Sequence, residues 1–179
     1  SGHDVTVVST RFGDESLPPA WQDIDVRLID IDRTQSLRVL YPRFWQQATK
    51  LASQERADVY HAHDLDALWP ACRAARRNDA ALVYDSHELF CEQSSLVHRP
   101  AIAFSWRLIE GRLIKRAHRV ITVAPSISTQ LQQTYNLDQA PVVLRNVPPY
   151  RKPVASSYLR QRLGIPTAAP LALYQGGFL

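Results

Sequence analysis

The amino-acid sequence predicts an α/β protein built on a parallel sheet with helices on both faces. Two observations carry this. Short apolar runs alternate with stretches of helical periodicity along most of the chain, and the runs are rich in β-branched residues, as buried parallel strands are. Strands separated by helices need right-handed crossovers, which make neighbouring strands parallel.

The elements follow in order. Asp4–Ser9 is read as a fully buried strand, Gly13–Pro19 as a loop broken by Pro18 and Pro19, and Val26–Ile29 as a second strand. Residues 43–54 form a helix with Phe44, Ala48, Leu51 and Ala52 at helical spacing. Asp58–Ala62 is a strand, after which Asp64 offers an N-cap for a helix over 65–77. Ala81–Tyr84 is the next strand. The longest helix covers 101–117, with Ile102, Trp106, Ile109, Leu113 and Ala117 as its apolar stripe. Arg119–Val123 is a strand, Pro125 suits the first turn of a helix over 125–135, and Val142–Leu144 is a further strand.

Residues 147–170 change character, with Pro148, Pro149, Pro153, Pro166 and Pro170 around one short helix, Ser157–Leu163. Leu171–Tyr174 then reads as an apolar strand followed by Gln175-Gly176-Gly177. A doubly wound sheet usually starts with a central strand and a phosphate-binding turn; this chain opens on Gly2-His3-Asp4 and a strand. The expected organisation is a domain over 1–147 lacking its first strand, an interdomain linker over 148–170, and over 171–179 the start of a truncated second domain.

Composition narrows the function classes. Apolar residues are 45% and charged residues 21% of the 179, ordinary for a globular domain. No run approaches the ~18 apolar residues of a membrane span, and no signal peptide is read. Cys72 and Cys91 make no disulfide framework and read as reduced core residues of a cytosolic protein. The net charge of +4 is mild, and its excess is local. Arg107, Arg112, Lys115, Arg116 and Arg119 face only Glu110 in that stretch. Beside Phe104 and Trp106, and with the aromatics of 40–45, this suggests a solvated helix face or a surface for anionic lipid. No nucleic-acid-binding motif is visible.

Ligands of doubly wound sheets sit outside the carboxyl ends of the strands. Two polar clusters lie there: His61-Ala-His63-Asp64-Leu-Asp66 and Asp85-Ser86-His87-Glu88. On neighbouring strands, His63, Asp64, His87 and Glu88 would converge on one cleft. Carboxylates and imidazoles bind hydroxyls in pairs, which favours a sugar-handling cleft. A metal site is the weaker reading, because alternate strand residues share a face but no third ligand follows at convincing spacing. Asp64 as a helix cap, His61 as a core residue, Asp85 as a strand end and Asp66 as a helix-dipole partner are the structural readings. Gly176 and Gly177 could bring backbone N–H groups up to a diphosphate. No GxGxxG or P-loop occurs.

These stretches together resemble a known family. Gly2-His-Asp-Val-Thr-Val-Val-Ser9, Ala57-Asp-Val-Tyr-His-Ala-His63, Leu82-Val-Tyr-Asp-Ser-His-Glu88, Arg116-Ala-His-Arg-Val-Ile-Thr-Val-Ala-Pro-Ser126 and Val143-Leu-Arg-Asn-Val-Pro148 are similar, in order and spacing, to the N-terminal domain of family 4 retaining glycosyltransferases. Leu163-Gly-Ile-Pro166 and Leu173-Tyr-Gln-Gly-Gly177 resemble the entry into that family's donor domain. The resemblance implies the N-terminal half of a GT-B fold, a Rossmann-like acceptor domain facing a donor domain across a cleft. It implies transfer of a hexosyl-type sugar from a UDP- or GDP-sugar to a saccharide, lipid-linked or small-molecule acceptor, with retention, no cofactor and no catalytic metal. His87 would be the active-site histidine, with Glu88 beside it; His63 and Asp64 would line the acceptor side, and Gly176 and Gly177 the donor phosphates. Ala124-Pro125 stands where the family commonly has Ser, and the family's Glu-x7-Glu motif is not reached. A cytoplasmic protein, peripheral on the inner membrane face, that is inactive as this polypeptide alone is the expectation. A GT-B sugar-nucleotide epimerase, a metal-dependent hydrolase using His61, His63 and His87, and a bare binding module stay open as alternatives.

Overall fold

The structure, a computed structural model, describes the chain except residues 1, 12, 14–20, 22, 33, 94, 95, 97, 153, 155 and 175–179. Gly176 and Gly177, Pro153 and the Pro18-Pro19 loop therefore lie outside the described residues. The chain divides into two compact units, Ser1–Asn146 and Val147–Leu179.

The first unit runs β1 (Thr6–Arg11), β2 (Asp25–Asp30), α1 (Leu37–Gln54), β3 (Val59–His63), α2 (Asp64–Asn78), β4 (Ala81–Ser86), α3 (Pro100–Leu113), β5 (Arg119–Thr122), α4 (Pro125–Tyr135) and β6 (Val142–Val143). Every strand pairing among the described residues is parallel. The expected α/β class holds, with parallel strands flanked by helices in the Rossmann-like manner.

Among the described residues the strands form two sheets rather than one: β1 pairs with β2, while the second sheet runs β3-β4-β5-β6. A cavity of about 550 Å³ opens between β1 and β3, lined by Val5, Val8, Val59 and Tyr60 among others. This explains why β1 is only partly buried where the sequence predicts a fully buried strand: its second edge faces open space.

The core lies on one face of the second sheet. Tyr60 and Ala62 of β3 and Leu82 and Tyr84 of β4 pack against Leu65, Leu68 and Cys72 of α2. Strand residues alternate between faces, so Val59, His61 and His63 of β3 emerge on the other, exposed face.

Two prolines are accommodated inside helices. α1 begins at Leu37, six residues ahead of the predicted start, and carries Pro42 within it. In α2, Pro70 has no N–H for the carbonyl of Asp66 four residues back. The indole Nε1 of Trp45 donates to that carbonyl at 2.9 Å instead. Three helices end on left-handed residues, Asp79, Asn136 and Gly164 (φ 52°, 48° and 65°), types for which that region is least costly.

The aromatic residues that the sequence places at a lipid surface are mostly interior. Trp106 is buried, with Tyr41 edge-on at 4.9 Å, Trp45 at 5.6 Å and Phe90 at 5.1 Å between ring centroids. Such pairs favour tilted contacts. The predicted stripe of α3 shifts accordingly: Trp106, Glu110 and Leu113 are buried while Ile102 is exposed, and the last turn tightens into a 3₁₀ helix over Ile114–Arg116.

Glu110 is an acid at 2% exposure. The hydroxyls of Tyr84 and Tyr135 donate to its carboxylate at 2.8 and 2.6 Å, and the Cys91 thiol lies 3.5 Å away. Burial and the neighbouring carboxylate push both phenols far above their ordinary range and the thiol up to about 12. A residue that reads as the lone acid of a basic surface is thus the polar anchor joining β4, α3 and α4.

The second unit holds α5 (Tyr158–Leu163). Arg160 of α5 donates to the carbonyls of Pro166 and Ala169 at 2.8 Å each. Residues 171–174, predicted as a strand, take no strand conformation.

Candidate functional site at the tips of β3 and β4

β3 and β4 are parallel neighbours, with His63 opposite Asp85 and His61 opposite Val83. The period of two then fixes the rest. His61 and His63 share one face of β3, Asp85 lies on that face of β4, and His87 follows two residues later. Two predicted clusters 24 residues apart therefore become one group.

Asp85 is its centre. Its Oδ2 lies 3.4 Å from His61 Nε2, 3.7 Å from His63 Nδ1 and 3.4 Å from His87 Nε2. Asp85 is only 15% exposed, against 43%, 63% and 39% for the three imidazoles. The rings of His61 and His63 stack at 4.5 Å and 13°, and His63 Nδ1 meets His87 Nε2 at 3.3 Å. Burial, opposed by Asp85 and Asp64 but reinforced by His61 and His87, holds His63 below its usual value. His63 thus favours the neutral ring, which can both donate and accept.

The turn carrying His87 is pinned from three directions. Asp64 Oδ1 accepts the His87 backbone N–H at 2.9 Å. The Ser86 hydroxyl donates to the Glu88 carbonyl at 2.9 Å. Thr122, fully buried on β5, donates to the Ser86 carbonyl at 2.8 Å.

Several sequence readings are corrected here. Asp64 does not cap its own helix: the N-cap position is His63, without a side-chain cap bond, and Asp64 sits at φ 61° with its carboxylate turned across to β4. His61 is no core residue, because it falls on the open face of β3. Asp85 does more than end a strand, since all three imidazoles converge on it. The signal for both was the His-x-His and Asp-x-His alternation, readable only once the β3–β4 register was known.

Among the residues singled out in the sequence, the structure brings His63, Asp64 and His87 together. Glu88 is exposed and accepts from Gln93 Nε2 at 2.6 Å, which turns its carboxylate toward that neighbour. Asp66 is half-buried in the first turn of α2; burial first, and then Asp64, raise it above its usual value.

Three imidazoles and a carboxylate beyond the carboxyl ends of parallel strands, on a Rossmann-like α/β scaffold, stand where domains of the doubly wound class hold their ligands. The chain belongs to Glycosyltransferase Family 4, whose family model matches residues 1–146. The match coincides with the first compact unit, Ser1–Asn146. No curated protein matches the chain. Membership gives the domain a glycosyltransferase-type role, with a sugar donor and an acceptor as its substrate classes. Among the described residues no helix is long and apolar enough to cross a membrane.

Proposed function

We propose that Ser1–Asn146 supplies the acceptor half of a glycosyl-transfer site that retains anomeric configuration and uses a UDP- or GDP-linked hexose. The observation that carries this reading is the gathering of His61, His63, Asp85 and His87 on one open face at the ends of two adjacent parallel strands. Imidazoles backed by a carboxylate offer ring nitrogens and carboxylate oxygens in pairs, which is what sugar hydroxyls need.

In the transfer step, the acceptor oxygen forms a bond to the anomeric carbon as the bond from that carbon to the donor phosphate breaks. Attack is from the face the phosphate leaves, and the acceptor proton passes to the departing phosphate oxygen. His87 touches the transferred sugar and stabilises charge developing on it, an electrostatic role. His63 and Asp64 line the acceptor side, with Asp64 also holding the His87 backbone. Glu88, bonded to Gln93, lies at the rim. Gly176 and Gly177 would face the donor phosphates.

In a polypeptide that also carries a donor-binding domain, His87→Ala should lower turnover by about 100-fold or more. A change below about threefold removes His87 from the reacting site. Products separate the rival chemistry, since an epimerase releases a free isomer and makes no glycosidic bond.

The same reading places the protein at the cytoplasmic face of a membrane. Phe104 is 62% exposed, and Leu108 and Ala101 lie on the same outward side of α3, which carries Arg112 in its last turn. A groove of about 630 Å³ beside it is lined by Arg73, Arg76, Arg77, Arg112 and Arg116 and, among the described residues, by no acid. Apolar side chains next to arginines suit an anionic lipid surface. Co-sedimentation with phosphatidylglycerol vesicles but not phosphatidylcholine vesicles, lost in Phe104→Glu, is the expected result; equal sedimentation with both removes the membrane from the account.

A further inference from the structure

Away from the strand tips, two helices turn their basic residues to one space. Arg73, Arg76 and Arg77 are spaced i, i+3 and i+4, which sets them on one side of α2. Arg112, in the last turn of α3, and Arg116, four residues on, make a second row. Both rows line one groove of about 630 Å³. Its five positive charges exceed the +4 of the whole chain, so the remaining protein is close to neutral. Among the described residues none of the five forms an ion pair, whereas Arg11, Arg27 and Arg107 do. Complementing a helix dipole accounts for a basic residue in a last turn. It does not account for Arg73, nor for arginines of two helices lining a common groove.

We propose that this groove is a binding site for a diphosphate, held by guanidinium–phosphate pairs. The proposal goes beyond the membrane reading of the same arginines, which needs only a charged surface. A guanidinium presents a planar fork of donors that fits two phosphate oxygens. One phosphomonoester carries at most about −2, so five guanidinia suit a ligand with two phosphate groups. The groove also has the size of a small-ligand site, for which about 300–1,000 Å³ is usual.

The walls support this. The Arg73 guanidinium lies 5.9 Å from the centre of the Trp69 ring, and Trp69 stacks on Trp45 at 5.2 Å and 14°, which holds the Arg73 head at the groove wall. Thr49 and Ser53 of α1 line another side. Ser53 Oγ is buried with no hydrogen-bond partner among the described residues, the mark of a place that a water or an ion completes. No residue of the strand-tip group lines this groove. The diphosphate is either free in solution or part of a lipid headgroup, and the chemistry of recognition is the same for both.

Calorimetric titration of the chain with sodium pyrophosphate at physiological ionic strength tests this. The expected result is one pyrophosphate per chain, bound about tenfold or more weaker by Arg76→Gln/Arg112→Gln and equally well by Arg145→Gln. All three side chains are exposed, so the variants should keep the wild-type melting temperature. Sodium sulfate should bind far more weakly than pyrophosphate. Phosphatidylglycerol vesicles separate the two sources. Displacement of the protein from them by pyrophosphate assigns the groove to a headgroup phosphate, and pyrophosphate uptake without vesicle binding assigns it to a free diphosphate. No saturable uptake, equal uptake of sulfate, or uptake unchanged in Arg76→Gln/Arg112→Gln overturns the proposal. Vesicle binding without pyrophosphate uptake overturns it too and leaves the membrane reading in place. No sugar is present, so the transfer reading is untouched by either outcome.

Discussion

Asp64 and His87, one just past each of two neighbouring strands, are joined by a hydrogen bond in which Asp64 Oδ1 accepts the His87 backbone N–H at 2.9 Å. The bond spans 23 residues of sequence and fixes where the His87 ring begins. It also explains why a residue suited to capping α2 does not cap it.

Asp64 should be more sensitive to shape than to charge. Its φ of 61° is a left-handed conformation that Asn shares at little cost and Ala does not. Asp64→Asn should fold with a loss under about 1 kcal/mol. Asp64→Ala loses both the charged acceptor and the backbone preference, about 2–3 kcal/mol together. Urea midpoints measure both; equal losses would mean the His87 turn is held without Asp64.

Glu110 should be the most stability-critical acid of the described residues. Glu110→Ala leaves the Tyr84 and Tyr135 hydroxyls without their acceptor inside the protein, at about 3 kcal/mol or more. Chemical denaturation of this variant against Tyr135→Phe, which removes one partner only, checks it: the single phenol should cost less.

The same network sets an alkaline limit. Burial and Glu110 raise Tyr84 and Tyr135 above the ordinary 10.0. A raised pKa means that the protonated phenol is favoured in the folded state. The contribution is therefore complete below pH 10 and is lost as pH rises beyond it, because the unfolded chain ionises first. For fully buried Tyr84 the slope is about 1.4 kcal/mol per pH unit. Melting temperature followed from pH 9 to 11 should fall, and Tyr84→Phe should flatten the fall. A flat wild-type profile would contradict the buried network.

Cys91 should be chemically silent. Its thiol is buried beside Glu110 and pushed up to about 12, so little thiolate exists at pH 8. A maleimide or disulfide reagent should label native protein at Cys91 only at the rate of unfolding, and Glu110→Gln should speed it. Rapid labelling of the native wild type would show the thiol open to solvent.

Much of the fold was legible because its signals are local. Apolar runs give β3 to β6, and Pro125 starts α4 at the predicted residue. The start of α1 was hidden because Pro42 reads as a break, although α1 continues through it. What sequence could not supply was partnership. Leu171–Tyr174 has strand composition and takes no strand conformation, and Trp106 has the look of a surface anchor until Tyr41, Trp45 and Phe90 are seen against it. At the site, His63, Asp64 and His87 were named from their place past the strands. His61 and Asp85 were assigned structural roles, since the register that sets them face to face is a property of two strands and not of either one.

The central claim is that these imidazoles, gathered at the ends of β3 and β4, meet the hydroxyls of a saccharide. Imidazole ¹H–¹⁵N NMR of the metal-free chain, titrated with a panel of mono- and disaccharides, tests it most directly. Saturable shifts at His63 and His87, with His98 and His118 unmoved, are the predicted result. Saccharide binding that leaves both His63 and His87 unshifted, or no binding across the panel, would contradict it.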